Sequence, residues 1–210
     1  MGWRIRRHLL LKNLGIAGFM WLFFIGYFYV LRHPVRQVVV MPLTALDRAI
    51  PFQPAAFAAY VSLWLYVGIP PGLMLTLKEL ILYGVWIGSL CLVGLACFYL
   101  LPTAIPPYDY AADAGHHVGI AMLQGIDAAG NACPSLHVAT ATFTAIWVHH
   151  LLRLTRAGAM LFWLNGVWLA LIVYSTLAIK QHVVLDVLGG ALLAVVFAWP
   201  SMRWHPPAIR

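Results

Sequence analysis

Ser175-Thr176-Leu177-Ala178-Ile179-Lys180-Gln181-His182-Val183-Val184-Leu185-Asp186 interrupts two uncharged apolar runs near the C-terminal end of the chain. It sets a histidine and an aspartate four residues apart where the second run begins. A helix starting near His182 puts both side chains on one face. There the carboxylate can bond one imidazole nitrogen, fix the tautomer and leave the other nitrogen as a nucleophile or base. An ionisable residue inside an apolar segment is costly, so Asp186 is read as functional, with His182 as its partner. The competing reading is a polar pair that only ties two helices together.

The flanking runs belong to a chain of 210 residues that is 63% hydrophobic and 9% charged, with mean hydropathy +0.86. A soluble domain of this length needs far more charge to cover its surface. The expected fold class is an all-α integral membrane protein with six transmembrane helices in one domain, residues 1–210. The six runs are 14–31, 54–77, 80–101, 135–152, 157–179 and 183–200. Each is long enough for a hydrocarbon core of roughly 30 Å. The first, preceded by Arg4, Arg6, Arg7 and Lys12, lacks the small-residue cleavage pattern of a signal peptide and is read as a spanning helix. Residues 32–53 read as a loop with a short interfacial helix. The second run is kinked or ended at Pro70-Pro71-Gly72, and Lys78-Glu79 is a minimal loop.

Residues 102–134 form the longest polar stretch, and loops of that length in a compact domain are usually functional. Asp109, Asp113, His116 and His117 within it offer metal-type donors, but a solvated loop or a lid is the preferred reading. Asn165 reads as an interhelical hydrogen bond and Gly189-Gly190 as a place of close helix packing. The net charge of +7 marks topology rather than nucleic-acid binding, because the basic residues flank the apolar runs. The three cysteines give no disulfide framework. Six spans would put nine of the basic residues on the side of the termini and four (Arg32, Arg36, Arg48 and Lys180) on the other, which predicts cytoplasmic termini. The same topology brings His182 and Asp186 to the non-cytoplasmic face.

A second stretch, Cys133-Pro134-Ser135-Leu136-His137-Val138-Ala139, also sets a histidine at the start of an apolar run, after a proline suited to a helix entrance. It falls on that same membrane face. Pro134-Ser135-Leu136-His137 together with Ser175-Thr176, His182 and Asp186 resembles the second and third signature motifs of the type-2 phosphatidic acid phosphatase superfamily. Those read Pro-Ser-x-His, then Ser-Arg, five residues, His, three residues and Asp. Thr176 stands where the third motif has arginine, and the first motif, a lysine followed by Arg-Pro, is not found. The wording Cys-Pro-Ser-Leu-His and Lys-Gln-His is closest to the inositol-phosphoryl-ceramide synthase branch, and sphingomyelin synthases are similar in relying on two histidines and an aspartate. The motifs place the active-site half at about residues 102–200.

The resemblance implies a membrane enzyme in which His182, oriented by Asp186, attacks phosphorus and carries a phospho-histidine. His137 then protonates the leaving oxygen and deprotonates the acceptor. Lys180 and Ser135 are the candidate phosphate-binding groups. No metal and no cofactor are expected, and the partners are membrane lipid substrates and the bilayer of an inner or plasma membrane, with the site facing periplasm, lumen or exterior. Few cations favour a singly charged phosphodiester donor, hence a lipid phosphotransferase. The alternative is a phosphatase that releases phosphate from phosphatidate or a polyprenyl phosphate. A proton-coupled transporter is the rival from another class, opposed by the gathering of ionisable residues at one face.

Overall fold

The computed structural model describes residues 9–108 and 130–204. Asp109, Asp113, His116 and His117, and with them the lid and metal readings, lie outside the described residues.

Helix α1 (Leu9–Arg32) is followed by a two-residue strand, β1 (Val39–Val40), and a one-turn helix, α2 (Ala45–Ala49). The run from Pro54 to Leu73 is not one helix but a 3-10 turn and three short helices, α3 (Phe57–Val61), α4 (Leu63–Tyr66) and α5 (Ile69–Leu73). The interior breaks fall at Ser62, whose hydroxyl bonds back to the Ala59 carbonyl at 2.6 Å, and at Gly68, and the run ends at Leu73, directly after Pro70-Pro71-Gly72 as expected. Pro70 and Pro71 sit in the first turn of α5, where a missing N–H forfeits no helical bond.

Lys78 and Glu79 are likewise not a loop. They belong to the first turn of α6 (Leu77–Leu100), which a capping box opens: Thr76 Oγ1 accepts from Glu79 N–H, and the Glu79 carboxylate accepts from Thr76 N–H. Strand β2 (Thr103–Ala104) pairs in parallel with β1, a small ladder that an all-helical reading does not foresee. Helices α7 (Leu136–Leu154), α8 (Ala159–Ala178) and α9 (Val184–Arg203) complete the bundle.

Among the described residues five segments are long and apolar enough to cross a membrane: Leu10–Arg32, Pro54–Leu73, Leu77–Leu100, Ala159–Ala178 and Val184–Arg203. The expected sixth, α7, is the hub around which α6, α8, α9 and the short helices pack. Its flank from Val138 through Phe143 and Trp147 to Leu152 is buried in protein. A helix that faces protein rather than lipid needs less apolar character, and α7 accommodates three threonines, Thr140, Thr142 and Thr144, along its length, with His137 at its start and His149 and His150 toward its end. The Trp147 indole donates to Ser201 Oγ at 3.2 Å, pinning α7 to α9. Asn165 joins helices as expected: the Tyr66 hydroxyl donates to its Oδ1 at 2.6 Å and its Nδ2 donates to the Ala145 carbonyl at 3.0 Å.

Helices α7 and α9 begin side by side at one end of the bundle. Ser135 N–H donates to the Asp186 carbonyl at 3.0 Å, and a Cβ on Gly190 would lie 2.3 Å from the Ser135 carbonyl oxygen. Only glycine permits that approach.

Candidate active site

The geometry starts with how α8 stops. Lys180 takes the left-handed conformation (φ 57°), with its N–H on the Leu177 carbonyl at 3.2 Å and Gln181 N–H on the Thr176 carbonyl at 3.0 Å. This is a Schellman ending built on lysine instead of glycine. His182 N–H bonds the same Thr176 carbonyl at 3.1 Å, so the turn fixes the backbone of His182 before α9 begins.

Asp186 lies in the first turn of α9, fully buried, with both oxygens engaged. Oδ1 accepts from Val183 N–H at 3.2 Å and Oδ2 meets His182 Nδ1 at 3.2 Å. The i,i+4 pair is thus formed, and an N–H on Nδ1 leaves the Nε2 lone pair unprotonated. His182 is 12% exposed, at the border between core and cavity.

His137 begins α7 and is stacked under Tyr60 of α3, with centroids 4.0 Å apart and planes at 12°. Its ring centroid is 6.5 Å from that of His182. Among the described residues its buried Nε2 has no hydrogen-bond partner. Ser135 caps α7: its fully buried Oγ accepts from Val138 N–H at 3.2 Å. The structure therefore gives Ser135 a helix-capping contact, and Ser135 does not line the cavity beside His182.

A cavity of about 360 Å³ adjoins His182. Its walls include Leu43, Arg48, Phe52, Pro106, Tyr108 and Lys180, and His137 is not among them. Lys180 reaches this cavity, yet its ammonium donates to the carbonyls of Asp47 (3.1 Å) and Ile50 (2.5 Å). Burial lowers its pKa from the ordinary lysine range, and the nearby Asp47 charge opposes that shift.

Asp47 is the residue the sequence reading passed over. One oxygen accepts from Thr44 N–H and Oγ1, each at 2.7 Å, and the other from Val184 N–H at 2.8 Å. The segment 44–50 is thereby strapped across the start of α9. Thr44-Ala45-Leu46-Asp47 carries a capping-box pattern that was readable; nothing local announces its bond to Val184. Tyr60 had no sequence signal at all.

Thr176, in the arginine position of the third motif, is fully buried and turns its hydroxyl onto the Val173 carbonyl at 2.8 Å. Burial first, then the charge of Asp186, raises the Cys133 thiol pKa, which disfavours its thiolate.

A family model described as the PAP2 superfamily matches residues 100–210, just over half of the chain, and both quoted motifs lie inside the match. No curated protein and no solved structure matches the chain. By that match the chain belongs to the PAP2 superfamily, whose members are phosphatases or phosphotransferases.

Proposed function

We propose that the protein is a metal-independent lipid phosphotransferase that moves a phosphorylated headgroup or phosphoryl group between lipids through a phospho-histidine. The observation that carries this is the His182–Asp186 pair at 3.2 Å beside a cavity, with a second histidine 6.5 Å from the first. In the first step His182 Nε2 attacks phosphorus, the bond to the leaving oxygen breaks, and His137 delivers its proton to that oxygen. In the second, His137 takes the proton of the acceptor hydroxyl, whose oxygen attacks the phospho-histidine and releases His182. In the substrate complex His182 Nε2 must come within roughly 3–3.5 Å of phosphorus while His137 meets the leaving oxygen on the opposite side.

The inositol-phosphoryl-ceramide synthase wording of both motifs and the absence of the third-motif arginine favour transfer from a diester over monoester hydrolysis. Six spans, with α7 as the sixth, put both termini in the cytoplasm and the site on the opposite face. At 19 residues α7 is about 28 Å long, sufficient for the hydrocarbon core.

The test uses protein purified in lipid micelles with chelator present. It is offered a phosphodiester lipid with a lipid alcohol and, separately, phosphatidate, with products followed by mass spectrometry. A new phospholipid that disappears with His182→Ala is the expected result. Inorganic phosphate from phosphatidate, lost in the same variant, would make the protein a phosphatase instead. Turnover that survives His182→Ala rejects the covalent mechanism.

A further inference from the structure

We propose that Arg48 is the phosphate-binding cation of this site, supplied by α2 where the third motif has lost its arginine, and that it selects a phosphodiester. The inference rests on the phosphoryl-transfer reading and deepens it.

Two cations line the cavity beside His182, Arg48 and Lys180. The Lys180 ammonium is held by the Asp47 and Ile50 carbonyls. Thr176 brings no charge and is sealed in the core. Arg48 is exposed, and among the described residues its guanidinium has no hydrogen bond or ion pair. The adjacent Asp47 carboxylate makes no ion pair with it; its two oxygens accept from Thr44 and Val184 instead.

The backbone under Arg48 is fixed from three sides. Thr44 and Asp47 close the capping box of α2, Asp47 ties α2 to the first turn of α9, and Lys180 ties it to the end of α8. Arg48 is therefore referenced to the same turn that holds His182 and Asp186. Its planar fork matches the two non-bridging oxygens of a phosphodiester, which carries one charge. A monoester adds a third oxygen and approaches a second charge. Beyond the two cations and His182, the walls that oxygen would meet are apolar or aromatic, Leu43, Phe52, Pro106 and Tyr108 among them, with the Asp47 carboxylate, which repels a second negative charge.

The experiment is calorimetric titration of the full chain in detergent micelles with dioctanoylphosphatidylglycerol, a diester, and dioctanoylphosphatidate, a monoester. The wild-type protein is compared with Arg48→Ala and Arg48→Lys. Expected are tighter binding of the diester by wild type and a loss of about 10- to 100-fold in diester affinity for Arg48→Ala. Arg48→Lys should recover only part of it, since an ammonium cannot make the fork. An unchanged thermal midpoint for Arg48→Ala shows that the fold is kept, as an exposed side chain requires. Equal affinity of Arg48→Ala and wild type, preference for phosphatidate, or no binding of either probe overturns the inference. Turnover by His182→Ala strikes at the phospho-histidine reading instead, and an Arg48 effect on binding would survive it.

Discussion

In the proposed phosphoryl transfer Asp186 orients His182, and both its oxygens are engaged, one by Val183 N–H and one by His182 Nδ1. Replacing it with asparagine keeps an acceptor for Val183 N–H but turns an amide NH₂ toward His182 Nδ1. The imidazole then carries its proton on Nε2 and has no lone pair for phosphorus. We expect Asp186→Asn to lower kcat by about 10³–10⁴-fold with little change in KM, measured as phospholipid product formed in micelles. A merely structural pair would instead show its loss in the denaturation midpoint. The spacing of His182 and Asp186 was legible because helical periodicity is local. The lysine at a left-handed position was not, since φ near 57° is unfavourable for any side chain and persists only where surroundings fix it. Those surroundings are two carbonyls, of Asp47 and Ile50, about 130 residues away in sequence.

At the scale of elements, the site depends on two junctions. The first is the strap of α2 on α9. Asp47→Ala removes the acceptor of Thr44 N–H, Thr44 Oγ1 and Val184 N–H, for a stability loss of about 2–3 kcal/mol. Chemical denaturation in detergent measures it, and Asp47→Asn, which keeps an oxygen for Val184, should lose less. The second junction is the crossing of α9 over the start of α7. A Cβ at Gly190 meets backbone at 2.3 Å, so Gly190→Ala must push the helices apart, at about 1–3 kcal/mol, and separate His137 from His182. Gly166→Ala, inside α8 with nothing within 4 Å, is the control and should not lower the midpoint. The Gly189-Gly190 contact was foreseen as close packing, but only the fold shows that the atom approached is the Ser135 carbonyl, two residues before His137.

For the whole molecule, the bundle puts the starts of α7 and α9 and the end of α8 at one end, as alternating spans require. The proposed orientation makes that end non-cytoplasmic. Arg36→Cys, exposed in the loop on the site's side, should react with a membrane-impermeant maleimide in intact cells. Lys78→Cys, exposed at the start of α6, should react only after permeabilisation. The reverse pattern would place the site in the cytoplasm and contradict the charge bias of the loops.

What the amino-acid order settled is what depends on near neighbours and on solvent. Apolar runs of spanning length demanded a helical membrane protein, and two short motifs at helix entrances gave the family and nominated His137, His182 and Asp186. What only tertiary structure decided depends on residues far apart in the chain. Ser62 and Gly68 break the interior of the second run while Pro70 and Pro71 are absorbed into the first turn of α5 just before its end, because packing and capping, as well as proline, choose where a helix stops. Lys180 holds a strap, Ser135 caps α7, and Arg48 reaches the cavity because Asp47 finds Val184 N–H across 137 residues. Such a bond forms only when the bundle brings a buried donor and a buried carboxylate together, and each would be costly without the other.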